Sequence, residues 1–410
     1  MMRISKQNLQ VLQLYGCSIL AVLLGILSSV INTRFLSPSD YGDVKYVQNI
    51  ANLMAVVLLF GYYMSGARLM ALTDDKGRIS RIKGAMLRVL GVGILVLMAC
   101  MPLLYLAHKG SNPGAATLFL YCIPVAMSPL LLNYIEQTTQ GDNQIGCLSL
   151  ARLLPLAIYV PTAFFVYSVC GATPRKMILL QWGIYSLAYV ALIISTRPSF
   201  KGIKTEWNDL RKENREYGIH LYAGSLVMVA TNYLAGISLG YFNPDNTEVG
   251  FYTLALTISS PLAALPSIVG TSYFKKFSSQ SCIPPAVKRT TLSLALVCTV
   301  AFILLIRPVV VFLYTEAYAS TGTYACFLAV AYSLHGIGDM YNKFLCSHGK
   351  GAPVRNASIA SGILKIAGFT ALVALFNING AIITVLLCDS LYCGLLIFGY
   401  YKTLEEERAG

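Results

Sequence analysis

Long apolar blocks, nearly free of charge, recur along the whole chain; Val11 to Ile31 and Leu292 to Ile306 are two of them. A helix rises about 1.5 Å per residue and the hydrocarbon core of a bilayer is about 30 Å thick, so roughly 20 apolar residues cross it. In lipid an unpaired backbone amide is costly, which leaves helices as the economical spanning form for such blocks. Composition agrees: 56% of the residues are hydrophobic and 12% are charged, where a soluble domain carries about 25% charged residues. The expected fold is all-α, a polytopic membrane protein of about 12 transmembrane helices. These fall near 11–32, 46–66, 84–107, 116–138, 146–168, 177–195, 219–240, 250–272, 291–314, 322–345, 356–376 and 379–400. Twelve spans use roughly 240 residues, and the remainder, shared among the connections and tails, leaves no room for a soluble domain.

The net charge of +13 reads as topology rather than nucleic-acid binding, because Lys and Arg gather on the cytoplasmic side of spans. With the N-terminus inside, 25 of the 31 Lys and Arg residues fall on inner segments. Only Arg34, Lys45, Lys109, Arg175, Lys176 and Arg307 fall outside. Both termini are therefore expected in the cytoplasm. Arg3 and Lys6 precede an apolar run too long for a signal peptide and without an A-x-A site, so this run is expected to remain as the first helix. The eleven cysteines sit mostly in apolar runs with no C-x-x-C pair and read as small buried residues.

The longest hydrophilic stretch runs from Arg197 to Gly218. It divides the chain into an N-terminal six-helix lobe (1–196), a cytoplasmic linker (197–218) and a C-terminal six-helix lobe (219–410). The halves echo each other at offsets of 206 to 209 residues. Phe35, Pro38 and Gly42 pair with Phe242, Pro244 and Gly250; Gln140-Gly141 pairs with His348-Gly349, and Gly171-Ala172 with Gly380-Ala381. Six spans per half keep both halves in the same orientation, which implies a parallel repeat around a central cavity, the architecture of a transporter.

No H-E-x-x-H, P-loop or dinucleotide fingerprint is present. No enzyme activity, metal or cofactor is expected. The informative residues are ionisable groups in or near spans, since a charge in hydrocarbon costs at least about 2.5–3.5 kcal/mol and is generally retained for function. Arg152 and Lys365 lie about two turns inside their helices, and Arg34 ends the first span beside Ser28, Ser29 and Asn32. Arg307 precedes Pro308, where an outer anchor and a substrate contact are both open readings. Arg68 closes the second span. Glu136, Asp339 and Asp389 form the acidic set; Asp339 and Lys343, four apart on one helix face, suit an internal pair. Glu136 or Asp339 would suit an H+ or Na+ relay. Pro124, Pro129, Pro155, Pro161, Pro261 and Pro266 are expected to bend their spans. Tyrosines near span ends, among them Tyr41, Tyr46, Tyr63 and Tyr241, fit interfacial belts.

Thr33-Arg34-Phe35-Leu36-Ser37-Pro38-Ser39-Asp40-Tyr41-Gly42 resembles the R-x-L-G-P-x-x-Y/F-G signature of Wzx-type polysaccharide flippases, with Ser37 where glycine is usual. Glu248-Val249-Gly250-Phe251-Tyr252-Thr253-Leu254-Ala255 is similar to the E-x-G-x-Y-x-x-A segment of their second half. Gly61 with Arg68 resembles the G-x-x-x-x-x-x-R ending of their second helix. These proteins belong to the multidrug/oligosaccharidyl-lipid/polysaccharide exporter superfamily. The resemblance implies a bacterial inner-membrane protein that flips undecaprenyl-diphosphate-linked oligosaccharide to the periplasmic leaflet by alternating access, for O-antigen or a related surface polysaccharide. It implies diphosphate contacts from Arg34, Arg152, Lys365 and Arg307, ion coupling at Glu136 and Asp339, and an inner gate at Arg68. The implied partners are the lipid-linked substrate, membrane lipid, and the polysaccharide polymerase and chain-length regulator. Two alternatives stand beside it. A drug exporter of the same superfamily is expected to carry an acidic residue in its first helix, which is absent here. The membrane polymerase of the same pathway is expected to carry a large periplasmic loop.

Overall fold

The computed structural model describes residues 6–243 and 245–409. Arg3 and Pro244 lie outside the described residues, as do the side chains of Lys6, Lys275 and Arg408. Helices account for nearly all of the described chain, and no strand occurs among these residues. They are α1 (Lys6–Phe35), α2 (Pro38–Val57), α3 (Tyr62–Ala71), α4 (Lys76–His108), α5 (Pro113–Cys122), α6 (Ser128–Gly141), α7 (Ile145–Cys170) and α8 (Pro174–Ser195). There follow α9 (Lys204–Glu213), α10 (Ile219–Phe242), α11 (Thr247–Ser259), α12 (Pro261–Phe277), α13 (Pro285–Tyr314), α14 (Ala319–Ser347) and α15 (Gly351–Ala409). Among the described residues seven helices are long and apolar enough to cross a membrane, or nine if each of two bent pairs is one span.

Local sequence explains where these helices start. Ser37, Asn112 and Thr173 each cap a helix whose first residue is proline, accepting the amide of Asp40, Ala115 and Lys176 respectively. A proline at the first helical position gives up no intrahelical bond, and the capping oxygen satisfies an orphan donor. The Ser37-Pro38-Ser39-Asp40 motif is thus a helix start, with Ser37 Oγ also donating to Asp40 Oδ2 at 2.8 Å.

Two expected spans are broken. α2 and α3 meet at 58°, and the segment Pro113–Val125 meets α6 at 47°. At the first break Gly61 has φ +80° with the backbone of Gly218 against it; a Cβ would be strained and have no room, which explains the glycine at that place. Pro124 and Pro129 flank the second break, whereas Pro155 and Pro161 lie within an unbroken α7. α15 is 59 residues long, about 88 Å as a straight helix, far more than a bilayer core. It folds back at Asn377, whose φ of 51° and ψ of −131° are not helical, and Gly380 lies against the carbonyl of Leu372.

The chain divides into two compact units, Met1–Tyr233 and Leu234–Gly410. The first contains α1 to α9 and the start of α10. The hydrophilic stretch after α8 folds onto this unit, because its carboxylates meet the arginines of α3 and α4. Glu213 pairs with Arg68, Asp209 with Arg78 at 3.0 Å, and Glu206 with Arg81 at 2.5 Å. The second unit packs α11 to α15 around an aromatic core at one end, where Phe277, Tyr341, Phe344 and Tyr400 are buried together.

Candidate functional site

The interior of the first unit is polar but mostly neutral. Asn32, 1% exposed, accepts from the Tyr159 hydroxyl at 2.6 Å, and that hydroxyl lies 3.0 Å from the hydroxyl of Tyr167. Ser28 and Ser29 are buried with Asn32, so this polar ladder faces the bundle interior while Arg34, in the last turn of α1, is exposed. Lys45 donates to Gln48 Oε1 at 3.0 Å, and Gln48 donates to Gln181 at 2.8 Å. Tyr185 stands edge-on to Tyr159 and to Tyr189. Amides and phenols satisfy one another here without the desolvation cost that a charge would carry.

Charge in this interior is sparse, and beside Lys45 it includes a pair between α6 and α7. Arg152 on α7 donates to Glu136 on α6 at 3.2 Å, with the side chains 39% and 28% exposed. Tyr189 and Tyr233 lie within electrostatic reach of Glu136. The sequence singled out both members for separate roles, and the structure brings them together. Arg68 is held by Glu213 and lies over the ring of Tyr217, 4.5 Å from its centroid.

The second unit concentrates charge inside its bundle. Asp389, on the returning arm of α15, is 2% exposed and accepts from His335 Nδ1 at 3.1 Å. Lys365, on the outgoing arm, lies 3.6 Å from the same carboxylate oxygen. The His335 ring stacks on Tyr392 at 4.9 Å. The Tyr392 hydroxyl donates to Asp339 at 3.1 Å and accepts from Asn342 at 2.9 Å. His335 thus senses Asp389, Asp339 and Lys365 together. The cluster holds two carboxylates, a lysine and an imidazole, a set that can bind or release a proton and can trade one cationic partner for another.

One expectation is corrected. Asp339 is held by Tyr392 rather than by Lys343, whose stem lies against Gly270 on α12. Helix spacing permits the Asp339 to Lys343 pair, but a phenol from a packed neighbour takes the carboxylate. Arg307 is exposed on α13, beside Gly322 of α14. The tyrosine-belt expectation fails for Tyr41, Tyr46 and Tyr63, which are buried within the unit, while Tyr241 is 73% exposed.

Sequence reasoning passed over His335 and Tyr392, while Asp389, read as a carboxylate able to pair with a nearby base, does meet two, His335 and Lys365. The available signal was weak but present: Asp389 is a carboxylate inside an apolar run, and His335 stands four residues before Asp339. It also missed the buried pair of Lys83, 2% exposed, with Asp142 at 2.6 Å. Nothing in the sequence sets Lys83 apart from the other inner-segment cations.

No curated protein matches the sequence. Solved structures do share the fold. The lipid II flippase MurJ in an inward closed conformation is 12% identical, with a TM-score of 0.72, over 95% of this chain and 89% of that one. An inward-facing multidrug resistance MATE family transporter of the MOP superfamily is 15% identical with a TM-score of 0.68, over 94% of this chain and 96% of that one. A MOP superfamily transporter from Pyrococcus furiosus is 14% identical with a TM-score of 0.60, over 96% of this chain and 94% of that one. Such identities establish a shared fold and leave function to the site. The family described as "polysaccharide biosynthesis protein" matches residues 10–274, more than half of the sequence, and the chain belongs to that family as a multi-pass membrane protein with the fold of the MOP-superfamily transporters.

Proposed function

We propose that this protein flips undecaprenyl-diphosphate-linked oligosaccharide repeat units from the cytoplasmic to the periplasmic leaflet of the bacterial inner membrane, by alternating access, for O-antigen or a related surface polysaccharide. The observation that carries the reading is the family match over residues 10–274 on a fold shared with a lipid II flippase. With the N-terminus inside, 25 of the 31 Lys and Arg fall on inner segments, which supports cytoplasmic termini.

The site chemistry supports this reading in a specific way. Each unit holds a cation on a carboxylate, Arg152 on Glu136 at 3.2 Å and Lys365 on Asp389 at 3.6 Å. A diphosphate is a stronger partner for a guanidinium or ammonium than a carboxylate is. Substrate entry would exchange the partner of Arg152 or Lys365, with Arg34 and Arg307 adding to the field. The carboxylate released would then be free to take H+ or Na+. His335 bonds Asp389 and stacks on Tyr392, which bonds Asp339, so the imidazole is the group that would exchange a proton with Asp389. Arg68, fixed by Glu213, serves as an inner gate. The polymerase and chain-length regulator of the pathway are the expected protein partners.

The drug-exporter reading has one observation in its favour, the MATE transporter with a TM-score of 0.68. Against it, α1 carries no acidic residue in Lys6–Phe35. The test is a deletion strain. Loss of surface polysaccharide, with its lipid-linked repeat unit accumulating on the cytoplasmic leaflet and both restored by a plasmid copy, is the expected result. A repeat unit that reaches the periplasm unpolymerised would point to the polymerase, and an unaffected glycan to the exporter.

A further inference from the structure

A cavity of about 480 Å³ opens at the start of α4, lined by Lys76, Ser80 and Lys83, by Asp142 and Gln144 after α6, and by Arg197 after α8. Three cations from two separate segments converge on it, against one carboxylate. Asp142 is already engaged by Lys83 at 2.6 Å and by the amide of Gln144. An ammonium has three donors, and the Lys83 Nζ donates to Asp142 alone among the described residues. Lys76 and Arg197 have no ion pair or side-chain hydrogen bond among the described residues.

The frame around the cavity is built rather than incidental. Arg197 has φ 52° and Asn143 φ 52°, a left-handed backbone that non-glycine residues adopt at a cost and that persists where the surroundings enforce it. The segment carrying Arg197 is strapped to α4 by two bonds: Ser80 Oγ donates to the Arg197 carbonyl at 2.5 Å, and the Ser199 amide donates to the Ser80 carbonyl at 2.9 Å. Asp75 already takes the Gly77 amide, so the positive field comes from the side chains and not from the helix end. Depth follows from the helix. Val89 to Ala107 is free of Lys, Arg, Asp and Glu and is about 28 Å long, the thickness of the hydrocarbon. Lys83 then lies about 9 Å and Lys76 about 20 Å beyond it, at and below the headgroups.

We infer that this cavity is a binding site for a phosphate-bearing anion, distinct from the charged clusters inside the bundles, with Lys76 and Arg197 as its mobile contacts and Lys83 as its fixed floor. Basic pockets at this depth on the inner side of a membrane protein suit anionic headgroups; the same chemistry suits a free diphosphate. The second unit has a cavity of about 510 Å³ lined by Lys350, Lys402 and Glu406. There Lys350 is paired with Glu406 at 3.8 Å, so it makes a fitting control.

The test uses the full-length protein in detergent micelles. Retention of phosphatidylglycerol against phosphatidylcholine is read by native mass spectrometry, and inorganic pyrophosphate is titrated by calorimetry. Wild type should retain one of the two probes. The Lys76→Ser, Arg197→Ser double variant should lose it by about tenfold or more, whereas Lys402→Ser should keep it. Loss of phosphatidylglycerol alone assigns a lipid headgroup, and loss of pyrophosphate alone assigns a soluble anion. If the double variant retains both probes like wild type, or wild type binds neither, the inference is overturned. Neither readout depends on polysaccharide transport.

Discussion

The two units solve the same problem, keeping polar groups inside a membrane-embedded bundle, in opposite ways. In the first the bundle interior is held largely by the neutral set Asn32, Tyr159, Tyr167, Gln48 and Gln181, with the half-exposed pair Arg152 and Glu136 beside it, and most ion pairs gather at one end, where Lys83 meets Asp142 and α9 meets α3 and α4. In the second one end is closed by aromatic packing. Phe344 lies 5.6 Å from Phe277, 5.0 Å from Tyr400 and 4.2 Å from the ring of His348. Its charge is instead inside the bundle, on Asp389, His335, Lys365 and Asp339. Lys83 of the first unit and Thr291 of the second are both buried, the one charged and the other neutral. An end closed by ion pairs can be loosened by ions or water; an end closed by aromatic rings cannot.

The largest way to break this comparison is at Asp389. Removing its charge leaves Lys365 without the carboxylate 3.6 Å away, inside a membrane bundle where an uncompensated charge is costly. Asp389→Asn should cut surface polysaccharide in a complementation assay by at least about tenfold, at normal protein level. Asp389→Glu should recover part of it. If Asp389→Asn complements fully, the cluster is structural and the coupling role assigned to it is wrong.

The aromatic end comes next. Phe344 is fully buried, and Phe344→Ala should cost about 3–5 kcal/mol through lost burial and a residual cavity. The loss should read as a lower Tm that does not change with salt. At the ionic end, Lys83→Met leaves Asp142 without its cationic partner, its carboxylate bonded by the Gln144 amide alone among the described residues. Asp142 keeps 18% exposure, so the full penalty of a broken buried pair, about 3–5 kcal/mol, should be reduced to about 2–3. The double variant Lys83→Met, Asp142→Leu should recover most of it. A double variant as unstable as Lys83→Met alone would show that the pair is not the source of the loss.

Much of this was legible in the sequence, and the boundary of what was legible is physical. Apolar block length pointed to the helices because it is set by bilayer thickness, but the expected starts at 46 and 177 fall after the observed ones at Pro38 and Pro174, where Ser37 and Thr173 cap the helices locally. The pairing of Arg152 with Glu136 spans only a turn between adjacent helices, and both residues stood out as charges in apolar runs. The pairing of His335 with Asp389 and of Lys365 with Asp389 joins residues 54 and 24 positions apart, across helices whose faces the sequence does not register. Asp339 shows the same limit. Its spacing to Lys343 was right for a pair, and a tyrosine from another part of the bundle displaced it.

The smallest expected effect separates the two kinds of charge at the ionic end. Arg78 and Asp209 are each 40% exposed, so their pair is screened by water and should contribute at most about 1 kcal/mol. Arg78→Ala should lower Tm slightly at low salt and not at all at about 1 M NaCl, where the screening length falls to about 3 Å. Lys83→Met should keep its full effect at both ionic strengths, since its pair is buried. Measured together, the two variants ask whether the first unit is closed by its surface pairs or by the one buried pair beneath them. A large, salt-dependent loss in Arg78→Ala would move the closure out to α9 and make Lys83 a local detail.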